Sequence, residues 1–204
     1  QGANVGDCLY EDISGPDGTP DGVIDAYDQT VLGSGLPKVN FGLSTHLEYK
    51  GFDLNISTYG VLNYHVSDDI YNSLNSCYGY GNKEVGMLDA NRWSEDGTYL
   101  SSVPRTYAAN NATLAWNDLF SSRKIQNAAY WKIANVELGY NFPDKWFGGY
   151  VSGVRLYVSA QNLYTFTGYH GYNVDYAGGT FTPGYNFCSF PSARTFMCGL
   201  HFTF

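Results

Sequence analysis

The chain has 204 residues and a formal net charge of −8, with 44% hydrophobic and 15% charged residues, a balance that excludes an intrinsically disordered protein. Its 19 Tyr, 12 Phe, 4 Trp and 24 Gly favour strands and turns over helices. No stretch approaches 18 consecutive apolar residues, which excludes a transmembrane helix, and the acidic balance argues against nucleic acid as a partner.

Residues 1–37 are predicted to form an acidic loop with an EF-hand-like cation site. They contain seven Asp and Glu and no Lys or Arg. Two spacings fit the oxygen ligands of calcium: one starts at Asp17 and puts Gly22 at the sharp turn, and the other starts at Asp12 and treats residues 16–20 as an insertion. The alternative to a cation site is a solvated acidic turn. The candidate calcium ligands are Asp12, Asp17, Asp21, Asp25 and Asp28.

Five strands are predicted along the rest of the chain, residues 38–204. Apolar and polar residues alternate over 38–50 and 52–66, which are joined only by Lys50 and Gly51, and over 127–142, 154–167 and 195–204. In the third strand the alternation assigns Ala134 to the apolar face and Ile133 to the polar face, with Lys132 beyond the apolar stretch.

Two long connections, 67–126 and 168–192, separate these strands. Both are rich in Tyr, Trp, Gly and Asn, residues that are able to stack on a substrate or contact a partner. The alternative is that their aromatic rings pack the loops together. The candidate contact residues are Trp93, Tyr99, Trp116, Tyr169, Tyr172, Tyr176 and Tyr185.

Three features favour a transmembrane antiparallel β-barrel over a soluble sandwich. The strands run to about 12–15 residues, against about 5–6 in globular proteins. Short connections (50–51, 143–153) alternate with long ones, as in outer-membrane barrels. Aromatic residues lie at the strand ends, where two bilayer interfaces are expected. One group is Tyr49, Phe52, Tyr140, Phe142, Phe202 and Phe204, and the other is Tyr64, Tyr130, Tyr164 and Phe166.

In such a barrel the apolar face contacts lipid and the polar face lines the lumen. Five strands do not close a barrel, because open edges would leave backbone groups unpaired in lipid, so the chain is expected to be part of a larger one. The predicted lipid-facing residues include Leu43, Ile56, Leu138, Val158 and Leu200. The predicted lumen-facing residues include Ser44, Asn55, Glu137, Gln161 and His201.

Several short segments, in this order, resemble the C-terminal portion of the SusC/RagA-like TonB-dependent transporters of Bacteroidetes outer membranes. They include Asp-Gly-Val-Ile-Asp at 21–25, Tyr-Lys-Gly-Phe-Asp-Leu at 49–54, Asn-Arg-Trp at 91–93, Asn-Val-Glu-Leu-Gly-Tyr at 135–140, Val-Ser-Ala-Gln-Asn-Leu-Tyr-Thr-Phe-Thr at 158–167 and Pro-Ser-Ala-Arg-Thr-Phe at 191–196.

The resemblance implies the last five or so strands of a 22-stranded barrel with long extracellular loops in the cell outer membrane. A plug and a TonB box would precede Gln1, and a SusD-like surface lipoprotein would cap the barrel and capture oligosaccharides or peptides. Of the two cation registers, the resemblance favours the one that starts at Asp12. The final Phe204 resembles the assembly signal of outer-membrane barrels.

The leading hypothesis for function is therefore a TonB-dependent outer-membrane importer of oligosaccharides or peptides, and not an enzyme. Its expected partners are the SusD-like lipoprotein, the TonB complex, the lipid bilayer and the substrate. The alternative is a secreted, calcium-stabilised β-sandwich that binds carbohydrate. Solubility without detergent would separate the two hypotheses.

Overall fold

The computed structural model describes residues 4–76, 82–89, 93–95, 103–106, 116–147, 151, 153–175, 179–187 and 189–203. The chain forms two compact units. The acidic unit comprises 1–32 and 67–125, and the sheet unit comprises 33–66 and 126–204.

Strands dominate the sheet unit. No helix in the described ranges is long and apolar enough to cross a membrane. The strands are β1 (Val39–Tyr49), β2 (Phe52–Leu62), β3 (His65–Asp68), β4 (Gln126–Asn127), β5 (Tyr130–Phe142), β6 (Gly153–Thr167), β7 (Tyr185–Asn186) and β8 (Thr195–Thr203). The helices are α1 (Asp69–Leu74) and α2 (Val85–Asp89), with 3₁₀ turns at Ala26–Asp28, Ser122–Lys124 and Asp144–Phe147.

The five long strands form one antiparallel sheet in the order β1-β2-β5-β6-β8, and the short strands form a second sheet in the order β4-β3-β7. All five predicted strands are therefore confirmed in type and order. The second ends at Leu62 rather than at residue 66, because Asn63 turns the chain with φ of 53° and β3 begins at His65.

The β1–β2 hairpin explains why two residues suffice between these strands. Tyr49 pairs directly with Phe52, and the intervening Lys50 and Gly51 both have positive φ, 49° and 87°. Two positive φ values are the requirement of a type I′ turn, whose twist matches that of the flanking strands. Glycine adopts this conformation without a steric penalty.

The pairing register divides the five-stranded sheet into an apolar face and a polar face, as the alternation predicts. Directly paired residues point to the same side, so one row across all five strands identifies a face. An apolar row comprises Leu47, Leu54, Leu138, Val158 and Cys198. The adjacent row on the other face is polar in His46, Asn55, Glu137 and Ser159 and ends at the apolar Met197.

The predicted faces of Ala134 and Ile133 are wrong. Between Ile133 and Asn135 the register of β5 shifts, and Ala134 is an extra residue relative to β2, whereas β6 passes two residues, Asn162 and Leu163, over the same step. Such a bulge reverses the alternation beyond it. Ile133 consequently pairs with Thr58 on the apolar face, and Lys132 lies on the polar face, almost fully buried at 4% exposure.

Aromatic side chains contact one another at both ends of the sheet. At the end with the short turns, Tyr140 lies 4.6 Å from Phe52 and 4.9 Å from Phe142, measured between ring centroids. At the other end Trp131 stacks on Phe166 at 5.4 Å. These two rows have the arrangement expected of interfacial aromatic residues.

Two of the aromatic residues predicted for that second row belong to the core instead. Tyr64 is buried, and Tyr130 packs against the same cluster. They depart from the row because Tyr64 lies beyond the end of β2 and Tyr130 lies beyond the bulge. The hydrophobic core of the sheet unit consists of Val61, Tyr64, Val66, Ala128, Tyr169 and Val174.

Candidate functional site

In the acidic unit, the carboxylate of Asp28 is a centre of the loop's hydrogen bonds. Its Oδ1 accepts from the N–H groups of Ile13 and Ser14 at 2.7 and 3.2 Å, and its Oδ2 accepts from the N–H of Asp25 at 2.8 Å. These backbone hydrogen bonds lower the pKa of Asp28. The carboxylate therefore joins residues 13–14 to the 3₁₀ turn at 26–28.

The other predicted calcium ligands have different surroundings. Asp12 Oδ2 accepts from the Gly22 N–H at 2.6 Å, while its Oδ1 is buried and has no hydrogen-bond donor among the described residues. The carboxyl group of Asp12 lies beside that of Asp28. Asp21 and Asp25 each accept from a backbone N–H two residues ahead, and Asp17 is exposed.

The structure thus brings Asp12 and Asp28 together. Within the described ranges, no group of three or more His, Cys, Asp or Glu is placed to hold a metal ion. Calcium at this loop stays a prediction, and the orphaned oxygen of Asp12 is the observation that fits a cation.

A second polar cluster joins Asp7, near the start of the acidic unit, to Arg105 and Asn117. Arg105 Nε and Nη2 donate to the two oxygens of Asp7 at 2.8 and 3.2 Å, and Asn117 Nδ2 donates to Asp7 Oδ1 at 2.8 Å. Burial alone would raise the pKa of Asp7, but the hydrogen bonds from Arg105, the Asn4 backbone and Asn117 outweigh it and lower the pKa. The carboxylate is therefore held in its charged form.

Trp93 and Trp116, two of the predicted contact residues, pack within the acidic unit. Trp116 Nε1 donates to the Cys8 carbonyl at 2.8 Å, and its ring lies 5.4 Å from that of Tyr10. Burial raises the pKa of Tyr10 to about 12. The ring of Trp93 lies directly over Gly6, which has φ of 90° and no side chain to obstruct it. For these two residues the structure favours loop packing.

On the polar face of the sheet, an ion pair crosses a strand. Arg155 of β6 donates from Nε to Asp53 Oδ1 at 3.1 Å and from Nη2 to Glu137 Oε1 at 2.7 Å, and Asp53 belongs to β2. Between them lies Gly139 of β5, where an added Cβ would come within 2.5 Å of Asp53 Oδ1 and 2.6 Å of Arg155 Nη2. The absence of a side chain at Gly139 lets the pair form.

On the N-terminal side of the bulge in β5, a second ion pair joins the polar face to the connection after β6. Lys132 Nζ donates to Asp175 Oδ2, and the Tyr59 hydroxyl donates to the same oxygen at 3.3 Å. A cavity of about 330 Å³ opens beside this pair. Its walls include Lys132, Asp175, Thr165, Tyr172, Asn173 and Arg194.

The remaining predicted contact residues lie in the same unit. Tyr169 is buried in the core, where its hydroxyl accepts from Asn186 Nδ2 at 2.8 Å. Tyr172 and Tyr185 are exposed, and of these two only Tyr172 lines the cavity. Tyr99, Tyr176 and Phe204 lie outside the described residues.

Neither the Lys132–Asp175 pair nor the Asp53–Arg155 pair was predicted from the sequence. The positions of Asp53 and Arg155, one near each short turn and both at polar positions of predicted strands, were a usable signal for the second pair. For the first pair no such signal exists, because Asp175 lies in an irregular connection and the bulge reverses the face of Lys132.

Comparison with known proteins gives one consistent group of relatives. TonB-dependent receptor P3 of Formosa agariphila is 30% identical over 210 residues, which cover 99% of this chain and 19% of the receptor. TonB-dependent receptor SusC of Bacteroides thetaiotaomicron is 26% identical over 185 residues, 90% of this chain and 17% of the receptor. The chain thus spans about a fifth of the length of these curated relatives. No protein-family model matches it.

Among solved structures, the RagAB peptide importer in its closed-closed state superposes with a TM-score of 0.73 at 23% identity, covering 93% of this chain and 20% of that one. The RagAB peptide transporter superposes with a TM-score of 0.68 at the same identity, covering 85% and 18%. At this level of identity the likeness establishes the fold.

Proposed function

We propose that this chain, which is related over nearly its whole length to the SusC-type TonB-dependent receptors, forms part of the wall and external loops of an outer-membrane importer. The observation that carries the proposal is the two-faced sheet, with an exposed apolar face and a polar face lined with ion pairs. Leu43, Leu138 and Leu200 are 62%, 44% and 58% exposed. Lipid is the environment that suits so large an apolar surface.

The lengths of the connections also support a position in the wall of an outer-membrane barrel. β1 and β2 are joined by two residues and β5 and β6 by residues 143–152, whereas residues 63–129 and 168–194 form the connections at the other end of the sheet. Outer-membrane barrels have short periplasmic turns and long extracellular loops. The short-turn end of this sheet would then face the periplasm.

The edges of the sheet support a larger barrel. β1 and β8 are its outermost strands, and each has one neighbour. An unpaired edge costs several kcal/mol per backbone group in lipid, roughly the cost of burying an unsatisfied polar group. Further strands of the same barrel, 22 in total by resemblance to the family, would pair with both edges.

In this proposal the polar face lines the path of the substrate, an oligosaccharide or a peptide. A SusD-like lipoprotein would bind at the external loops, and the TonB complex would supply energy through parts of the protein outside this chain. The relatives' names and the RagAB importer structures support an import function, since all are receptors or transporters.

We further propose that the acidic loop binds calcium through Asp12 and Asp28, the two carboxylates that the fold brings together. A divalent cation would pair with the buried Asp12 Oδ1 and offset the repulsion between the acidic side chains. Calcium should raise the unfolding temperature of the acidic unit, and Asp12→Asn should abolish that increase while Asp17→Asn leaves it intact. The reverse result would favour the register that starts at Asp17.

The import function is tested by fractionation followed by growth. The complete protein should be recovered in the outer membrane and require detergent for extraction. Deleting its gene should abolish growth on one oligosaccharide or peptide source from a panel and leave growth on the corresponding monomers unchanged. Recovery of the protein in the soluble fraction, or unchanged growth of the deletion strain on every source, would contradict the proposal.

A further inference from the structure

At the short-turn end of the sheet, a lysine lies beside the aromatic row of the apolar face. Lys50 belongs to the two-residue turn between β1 and β2, and its ammonium group lies 5.1 Å from the centre of the Tyr49 ring. Tyr49 pairs with Phe52 and Phe52 pairs with Tyr140, so the three rings share the apolar face. The contact with Tyr49 therefore holds the charge of Lys50 on the side of the sheet that would face lipid.

A second lysine, Lys145, lies in the neighbouring turn on the same side. This 3₁₀ turn follows β5, and its Trp146 ring lies 5.9 Å from the ring of Phe142 at the end of that strand. The Asn141 N–H donates to the Gly51 carbonyl at 2.7 Å, which joins the first turn to the end of β5, where the second turn begins. Lys145 is exposed, and Trp146 is 67% exposed.

The acidic side chains next to the first turn do not neutralise these lysines. Glu48 and Asp53 belong to the polar face. There Glu48 Oε1 meets His46 Nε2 at 2.9 Å. Asp53 Oδ1 accepts from Arg155 Nε at 3.1 Å. Among the residues that the structure describes, neither lysine of the two turns has an acidic partner. Although the chain carries −8, this rim of the apolar face thus presents two positive charges beside aromatic rings.

We infer that these two turns form a binding site for anionic phospholipid at the periplasmic membrane interface, with Lys50 and Lys145 at the headgroup and the aromatic row along the upper acyl chains. Aromatic rings are favoured at this depth of a bilayer, and lysines there attract negative headgroups. A zwitterionic headgroup fits less well, because its own cation offsets its phosphate. The site rests on the proposed outer-membrane position and adds a preference among lipids to the import function.

Photo-cross-linking in lipid nanodiscs tests this preference. The complete protein is reconstituted in phosphatidylcholine with a small fraction of a diazirine-labelled probe, either phosphatidylglycerol or phosphatidylcholine with the same acyl chains. Mass spectrometry compares cross-links at Phe52, Tyr140 and Trp146 with those at Trp131 and Phe166, the stacked pair at the other end of the sheet. Phosphatidylglycerol should be enriched at the first group about fivefold or more, since each lysine near a membrane surface contributes about a factor of five.

Charge substitutions test whether the lysines cause the enrichment. Lys50→Gln and Lys145→Gln should each lower it severalfold, and the double variant should abolish it, whereas Lys50→Arg keeps the charge and should preserve it. Salt at about 1 M should also abolish it, because charges are then screened over about 3 Å. The matched control is Lys38→Gln, which removes an exposed lysine at the opposite end of β1 and should leave the enrichment unchanged.

Three results would overturn the lipid site. They are equal cross-linking of the two probes in the wild type, an enrichment that survives in the double variant, and a loss in Lys38→Gln as large as in the turn variants. The import function would stand in each case, because recovery in the outer membrane and nutrient-specific growth do not depend on a preference among phospholipids. The two proposals therefore fail separately.

Discussion

At the scale of single residues, glycine determines where long polar side chains cross the polar face. Asp53, Gly139, Tyr157 and Gly199 form one directly paired row. A Cβ at Gly139 would meet the Asp53–Arg155 pair, and one at Gly199 would come within 2.5 Å of the Tyr157 ring. Large and small residues therefore alternate across the strands, and each large side chain lies over the backbone of its neighbour.

We expect Gly139→Ala to separate Asp53 from Arg155 and to lower the free energy of unfolding by about 1–2 kcal/mol, the usual effect of disrupting a hydrogen-bonded charged pair. Gly153→Ala is the matched control, because an added Cβ there meets only ordinary contacts at 3.7 Å. Denaturant midpoints of the two variants in lipid vesicles provide the comparison. Equal midpoints would show that Arg155 re-forms its bonds around the new methyl group.

Asp7 should make the acidic unit sensitive to acid. Because its pKa lies below the ordinary value near 3.8, its contribution to stability is present above about pH 4 and is lost as the pH falls through the lower, folded-state pKa. Asp7→Asn should weaken the unit near pH 7 by about 1 kcal/mol or more and should make its stability flatter below pH 4. Tryptophan emission against pH measures this, with Asp17→Asn as the control. Parallel acid transitions in Asp7→Asn and the wild type would contradict the assignment.

At the scale of elements, the five strands were predictable because apolar and polar residues that alternate over more than ten positions are typical of a strand between two different environments. The bulge was not predicted, because Ala134 is small and apolar and fits either face; its signal was the placement of Ile133 and Lys132, which regular alternation assigns to the unsuitable faces. The acidic loop was predictable as a carboxylate cluster, but which carboxylates meet depends on backbone hydrogen bonds to Asp28 that no spacing specifies.

The bulge leads us to expect the opposite effect of a charge at Ile133 from the one that simple alternation predicts. Ile133→Arg should destabilise the protein in a bilayer by about 1–3 kcal/mol, because Ile133 lies on the apolar face, whereas Asn135→Arg on the polar face should cost far less. Unfolding free energies measured in lipid vesicles check both values. A smaller cost for Ile133→Arg than for Asn135→Arg would restore the assignment made from alternation alone.

At the scale of the whole molecule, the residue after the last strand bears on how the protein is assembled into the outer membrane. Phe204 stays a predicted assembly signal, since aromatic residues are favoured at the periplasmic interface. Deleting Phe204 should reduce the amount of protein in the outer membrane without changing its synthesis, and Leu119→Ala, an exposed position of the acidic unit, should not. Normal surface levels after the deletion would make Phe204 an ordinary interfacial residue.

In the main sheet the strands lie side by side in the same order as along the chain, and this order has an evolutionary consequence. Each long strand pairs with the long strand that follows it along the chain, so no strand of this sheet is inserted between two others out of order. A hairpin with its turn can therefore be duplicated or deleted as one segment of the gene, and the strands on either side can pair with each other without rerouting. Such a step changes the strand number by two, which keeps an even number even, as outer-membrane barrels require. A graft between related chains is best joined at residues 50–51 or within 143–152, where few residues connect one strand to the next.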